Sequence, residues 1–202
     1  MGFWVVWRAE IGYCDDEISL ELFDLAEQDL DVDEAAKLGF QPDSVVYLRH
    51  NDDLIFYYLV WRHGEDETYL AWMYMESDTG EETIEVMIIS ELSTQPNLSL
   101  ATASQKQNHE IPLPPGDYVQ TFSSIDLPES WRRHRESEAY LINRFGITDR
   151  PAHSNALDLI ERSIRQGSRH ILRRPWLLLI VPYRYWIGKH LRHDKSIVTL
   201  GV

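Results

Sequence analysis

At 202 residues, 44% hydrophobic and 11% aromatic, the chain can bury one sizeable core, which excludes global disorder. A single cysteine, Cys14, excludes an internal disulfide and a thiolate-rich metal centre built by one chain. The net charge of -14 hides a split: residues 1–130 hold 5 Lys or Arg against 27 Asp or Glu, and residues 131–202 hold 14 against 6.

In chain order, "FWVVWRAEI" (3–11) is rich in β-formers and predicts a strand. This N-terminus has no basic lead-in, and Arg8 and Glu10 cut its apolar run short, so it is not read as a secretory signal. Val6 stands where a myristoylation signal wants Ser or Thr. The longest apolar runs fall far below the ~18 residues that span a bilayer, so the expectation is a soluble, cytoplasmic protein. Asp15 and Asp16 offer caps to a helix with Ile18, Leu22 and Leu25 at helical spacing. A second short helix is expected over "DVDEAAKLGF", stopped by Gly39 and barred from resuming by Pro42.

A strand series follows. "SVVYLR", "LIFYYLVWRH", "TYLAWMYMES" and "ETIEVMIIS" are separated by the turn-like "HNDD", "GEDE" and "DTG". Links this short join antiparallel neighbours. Both alternate faces of "LIFYYLVW" are apolar, which predicts a central strand covered on both sides. Residues 92–116 are polar and proline-bearing and are read mainly as loop, with one short strand near "LSLATA" and a rigid turn at "LPPG". "DYVQTFSS" resumes the strands.

Asp126, Pro128 and Glu129 open a helix that Gly146 ends, with Trp131, Arg135, Glu138, Leu141 or Ile142, and Phe145 on one side. A further helix is expected from about Asn155 to Arg174, with Leu157, Ile160, Ile164 and Ile171 as its stripe. The fold class is therefore α+β: an antiparallel sheet of five to seven strands packed with helices. It divides into an acidic, sheet-rich body (1–127) and a basic helical region (128–202) docked on it. The apolar run Trp176 to Val181 is expected between the two.

The order strand, two short helices, strand series, helix resembles the helix-grip fold of the START and plant-allergen superfamily. That resemblance is one of topology and covers residues 1–145. It implies a cavity between sheet and helix for a small apolar ligand, with Tyr58, Trp61, Trp72, Tyr74 and Trp131 as lining. A local stretch, "LDVDEAAKLGFQPDSVVYLRHND", resembles the helix-turn-helix of excisionase-like DNA-binding domains. Asp33 to Leu38, Gly39 and Val45 to Arg49 occupy the places of helix, turn and second helix. Against it, one residue is missing before Leu38, and Asp43, Asp52 and Asp53 would repel phosphate.

No catalytic residue, metal ligand or cofactor is assigned. Arg-His followed by acid recurs in "RHNDD", "RHGEDE", "RHRESE" and "RHDK", but without ligand spacing, and is read as solvated strand ends and turns. Acidic neighbours of Cys14 suppress its thiolate. The basic segment carries the positive expectation: a non-enzymatic interaction or regulatory module whose contact face comprises Arg132, Arg133, Arg135, Arg169, Arg173 and Arg174. Its partner would be another protein or a second copy of the chain. An anionic membrane surface ranks next, because Trp176 and Trp186 accompany the arginines, and nucleic acid ranks last.

Overall fold

The structure is a computed structural model that describes residues 10–51, 54–64, 67–76, 82–94, 97–104, 113–122, 125–151, 155–174, 176 and 196–201. Residues 3–9 of the strand expected over 3–11, and residues 177–181 of the apolar run, lie outside the described residues.

Among the described residues, seven strands form one sheet in sequence order: β1 (Glu10–Tyr13), β2 (Phe40–Asn51), β3 (Leu54–His63), β4 (Thr68–Glu76), β5 (Glu82–Thr94), β6 (Asn97–Ala103) and β7 (Asp117–Thr121). All neighbours are antiparallel except β6 and β7, which run parallel. The short strand expected near "LSLATA" is β6, and β5 runs on to Thr94, past the expected start of the polar stretch at 92. "LPPG" is a turn, as expected: Asp117 N donates to Pro114 O, and Gly116 sits at φ 93. Val45 to Arg49 lie in β2, so the helix-turn-helix likeness reduces to a helix, a glycine at φ 94 and a strand. Pro42 is tolerated inside β2 because it lies at a register shift, beyond the reach of β1.

Helices cover both faces. α1 (Asp16–Ala26) and α2 (Val32–Lys37) begin at Asp15 and Asp31, whose carboxylates accept from Ile18 N and Glu34 N. α3 (Leu127–Phe145) begins at Asp126, which accepts from Glu129 N, and ends at left-handed Gly146. These three helices share a face with Val45, Leu59, Trp61, Leu70, Trp72 and Ile88. α4 (Ala156–Arg173) lies on the other face, where Ala156 and Leu159 pack on Val60 and Tyr69, with Tyr58, Ile89 and Ile160 beside them. β3 is therefore covered on both sides, as its two apolar faces require. A short α5 (Ile197–Leu200) returns to the first face, where Ile197 joins Leu92, Leu98, Leu100 and Leu141.

Trp131, Glu138 and Leu141 of α3 face the core, as the expected side of the helix requires. Its buried residues are His134, Ser137, Glu138 and Leu141, while Phe145 is exposed. The sheet opposite the middle of α3 presents hydroxyls and an amide, so the helix buries polar groups there.

Candidate functional site

The two arginine trios part company. Arg132 makes a two-pronged pair with Glu129 at 2.6 and 2.8 Å and reaches Glu136 at 3.4 Å. Arg133 bonds the same Glu129 at 2.7 Å and lies 4.4 Å over the Phe122 ring. Arg135 bonds buried Glu138 at 2.6 Å and lies over Trp131. Hydrogen bonds from Arg132 and Arg133 hold the Glu129 carboxyl at about 2, well below its ordinary value. The α3 arginines are thus matched by carboxylates one helical turn away.

Arg169, Arg173 and Arg174 lie at the end of α4, on the opposite side of the sheet, and all three are exposed. None forms a hydrogen bond or ion pair with another described residue. Burial, and then the nearby Arg174 charge, depress His170 below its ordinary value. The helical period places Arg165, Arg169, Leu172 and Arg173 on one outward side of α4, Trp176 follows just past the helix end, and each of the five is exposed. Leu172 is 55% exposed and Trp176 56%, so Trp176 is not buried as its apolar neighbours suggested.

Beside this ridge runs a polar groove of about 490 Å³, lined by Thr94, Asp158, Glu161, Arg162, Arg165, Gln166 and Arg169. Arg162 is tied to buried Glu91 at 3.2 Å, Arg165 to Glu161, and Gln166 donates to Asn97 at 2.8 Å. These bonds neutralise the groove and fix α4 to the ends of β5 and β6. Of its three arginines, Arg169 alone has no ion-pair partner among the described residues.

The five aromatic residues expected to line a cavity are not all on one side. Tyr58 belongs to the α4 face, whereas Trp61, Trp72 and Tyr74 point towards α1–α3. Trp131, on α3, meets Phe40 and His63 with ring centres 5.0 Å away. Trp61 and Trp72 are buried, with Phe23 edge-on to Trp61 and Tyr74 stacked on Trp72. The indole N–H groups of both have no hydrogen-bond acceptor among the described residues.

One buried constellation escaped the sequence. His134, in "RHRESE", is expected at the surface but is wholly buried. Its Nε2 lies 2.9 Å from Ser90 Oγ, and its Nδ1 lies 2.8 Å from Thr102 Oγ1. Gln120 donates to Thr102 at 2.8 Å and accepts from Ser137 and from the Ile197 amide. A donor chain accounts for every group: Gln120 amide to Thr102, Thr102 hydroxyl to Nδ1, Nε2–H to Ser90, Ser90 hydroxyl to Thr68. The signal available in sequence was the three-residue step from Trp131 to His134 to Ser137. Burial, helped by the Arg135 and Arg150 charges, lowers His134 to about 3, so it stays neutral and is a poor base. The Ser90–His134 contact therefore lacks both an orienting carboxylate and access to solvent.

Cys14 is held in the thiol form by burial and by Asp15. Among the described residues, no group of three or more His, Cys, Asp or Glu side chains could hold a metal ion. No described helix is long and apolar enough to cross a membrane. No protein-family model matches the chain, and no curated protein or solved structure does either.

Proposed function

We propose that the chain is a non-catalytic interaction module, of a binding or regulatory kind, acting in the cytoplasm through the outward ridge of α4. Arg169, Arg173 and Arg174 are its charged contacts, with Arg165, Leu172 and Trp176 beside them. Arg132, Arg133 and Arg135 are excluded from this face because their charges are already matched on α3. The observation that carries the reading is the contrast between those internally paired arginines and the exposed Arg169, Arg173 and Arg174, which pair with no other described residue. Unpaired surface charge next to exposed apolar groups is what a partner of opposite sign and partly apolar character recognises.

The test is retention of the full chain on immobilised heparin, a polyanion, at low salt. An acidic protein with a sequence pI near 4.9 would ordinarily flow through. The reading expects retention that R169Q/R173Q/R174Q removes and R132Q/R133Q/R135Q does not. Flow-through of the unaltered chain, or equal loss in both variants, defeats it.

A second reading, as a binder of a small apolar ligand in the manner of the helix-grip proteins, rests on one observation. The buried Trp61 and Trp72 indoles offer two unclaimed donors under α1–α3. A ligand with an acceptor group seated there would raise the melting temperature, since it binds only the folded chain. If no carbonyl-bearing apolar compound does so, while core variants of Trp61 and Trp72 merely destabilise, this reading falls.

A further inference from the structure

We infer that the partner of the α4 ridge is an anionic phospholipid surface, an inference that rests on the contact face proposed above. Arginines alone would suit any polyanion. Leu172 and Trp176 narrow the choice, because each is more than half exposed: Leu172 lies between Arg169 and Arg173 and Trp176 follows Arg174, and none of these three arginines pairs with another described residue. An aliphatic chain in that position has nothing to stack on in a nucleic acid and is left in water by a purely ionic partner. The headgroup boundary of a bilayer accepts both parts at once: guanidinium groups meet phosphate, while Leu and Trp enter the acyl margin.

The rest of the fold is compatible with this pose. The inner side of α4 stays on the sheet through Ala156, Leu159 and the Arg162–Glu91 pair, so docking needs no unfolding. The acidic excess of residues 1–130 is repelled by an anionic leaflet. That repulsion would turn the body away and present the ridge, giving one orientation on the surface.

The experiment is co-sedimentation of the full chain with vesicles of phosphatidylcholine alone, and with about a third phosphatidylserine, at low salt. The expected result is binding to the second and not the first. R169Q/R173Q/R174Q abolishes it. L172S/W176S, which keeps every arginine, weakens it roughly tenfold. Both replaced residues are exposed, so an unchanged melting temperature certifies the fold. Absence of sedimentation on anionic vesicles overturns the inference. So does binding that is indifferent to L172S/W176S, or tighter binding to a single-stranded oligonucleotide that shares that indifference. If heparin retention through the α4 arginines survives while vesicle binding fails, the contact face stands and the lipid assignment falls. If neither occurs, both fall.

Discussion

His134 Nε2 and Ser90 Oγ meet at 2.9 Å in the centre of the sheet–helix interface, inside a chain of hydroxyl and amide partners closed to solvent. A neutral imidazole in that place makes stability depend on pH. Its folded value is about 3, and its unfolded value lies near 6.5. Between those values the unfolded chain binds a proton that the folded chain refuses. Stability is therefore full above the unfolded value and falls as pH drops towards the folded one, by roughly 1.4 kcal/mol per pH unit from this group. Denaturant titrations from neutral pH to about pH 5, on the unaltered chain and on H134N, isolate the effect. The slope should be smaller in H134N, which has no proton to take up; equal slopes would contradict the assignment.

Glu138 occupies another buried polar position of α3. It is 2% exposed and sits between Arg135 at 2.6 Å and Arg150 at 2.7 Å. Removing it takes a buried carboxylate from two guanidinium groups, both of them partly hydrated. We expect E138A to lose about 2–4 kcal/mol of unfolding free energy. R132Q, which breaks only solvent-exposed pairs, should leave the unfolding midpoint where it is. Comparable losses in the two variants would show that Glu138 carries no special weight.

Gly116 and Gly146 share a positive φ but differ in surroundings. A Cβ at Gly116 would stand 1.9 Å from the Asn97 carbonyl oxygen, whereas at Gly146 nothing lies within 4 Å. G146A should cost about 1 kcal/mol, the usual penalty of a left-handed cap. G116A must also push apart the β6–β7 junction, so its loss should be at least twice as large. Thermal unfolding of both variants checks the ranking, and a reversed order would show that the junction yields freely.

Cys14 should react with a thiol reagent more slowly than a free peptide thiol near neutral pH, because burial and Asp15 both oppose the thiolate. Labelling at or above the peptide rate would place the side chain in a more open or more cationic setting.

Much of the fold was legible because local signals agreed. Asp15 and Asp126 each open a helix as expected, and Gly39 and Gly146 stop helices at positive φ. The short turns of β2–β5 fixed an antiparallel meander. Other features depend on distant partners and leave no local trace. Residues 97–103 alternate small and apolar groups and suggest only a short strand, and their place between antiparallel β5 and parallel β7 depends on those distant partners. His134 looks like one charged surface group among several, and only Ser90 and Thr102, far off in sequence, make its burial tolerable. In the same way, counting charges grouped Arg132 with Arg169. It could not register that Glu129 and Glu136 cancel the first while no described carboxylate pairs with the second.

The most direct measurement is a map of arginine reactivity by mass spectrometry after brief phenylglyoxal treatment, with and without anionic vesicles. The account predicts that Arg169, Arg173 and Arg174 are protected when the vesicles are present and that Arg132 is unchanged. Protection centred on Arg132 and Arg133, or no protection anywhere on α4, would contradict it.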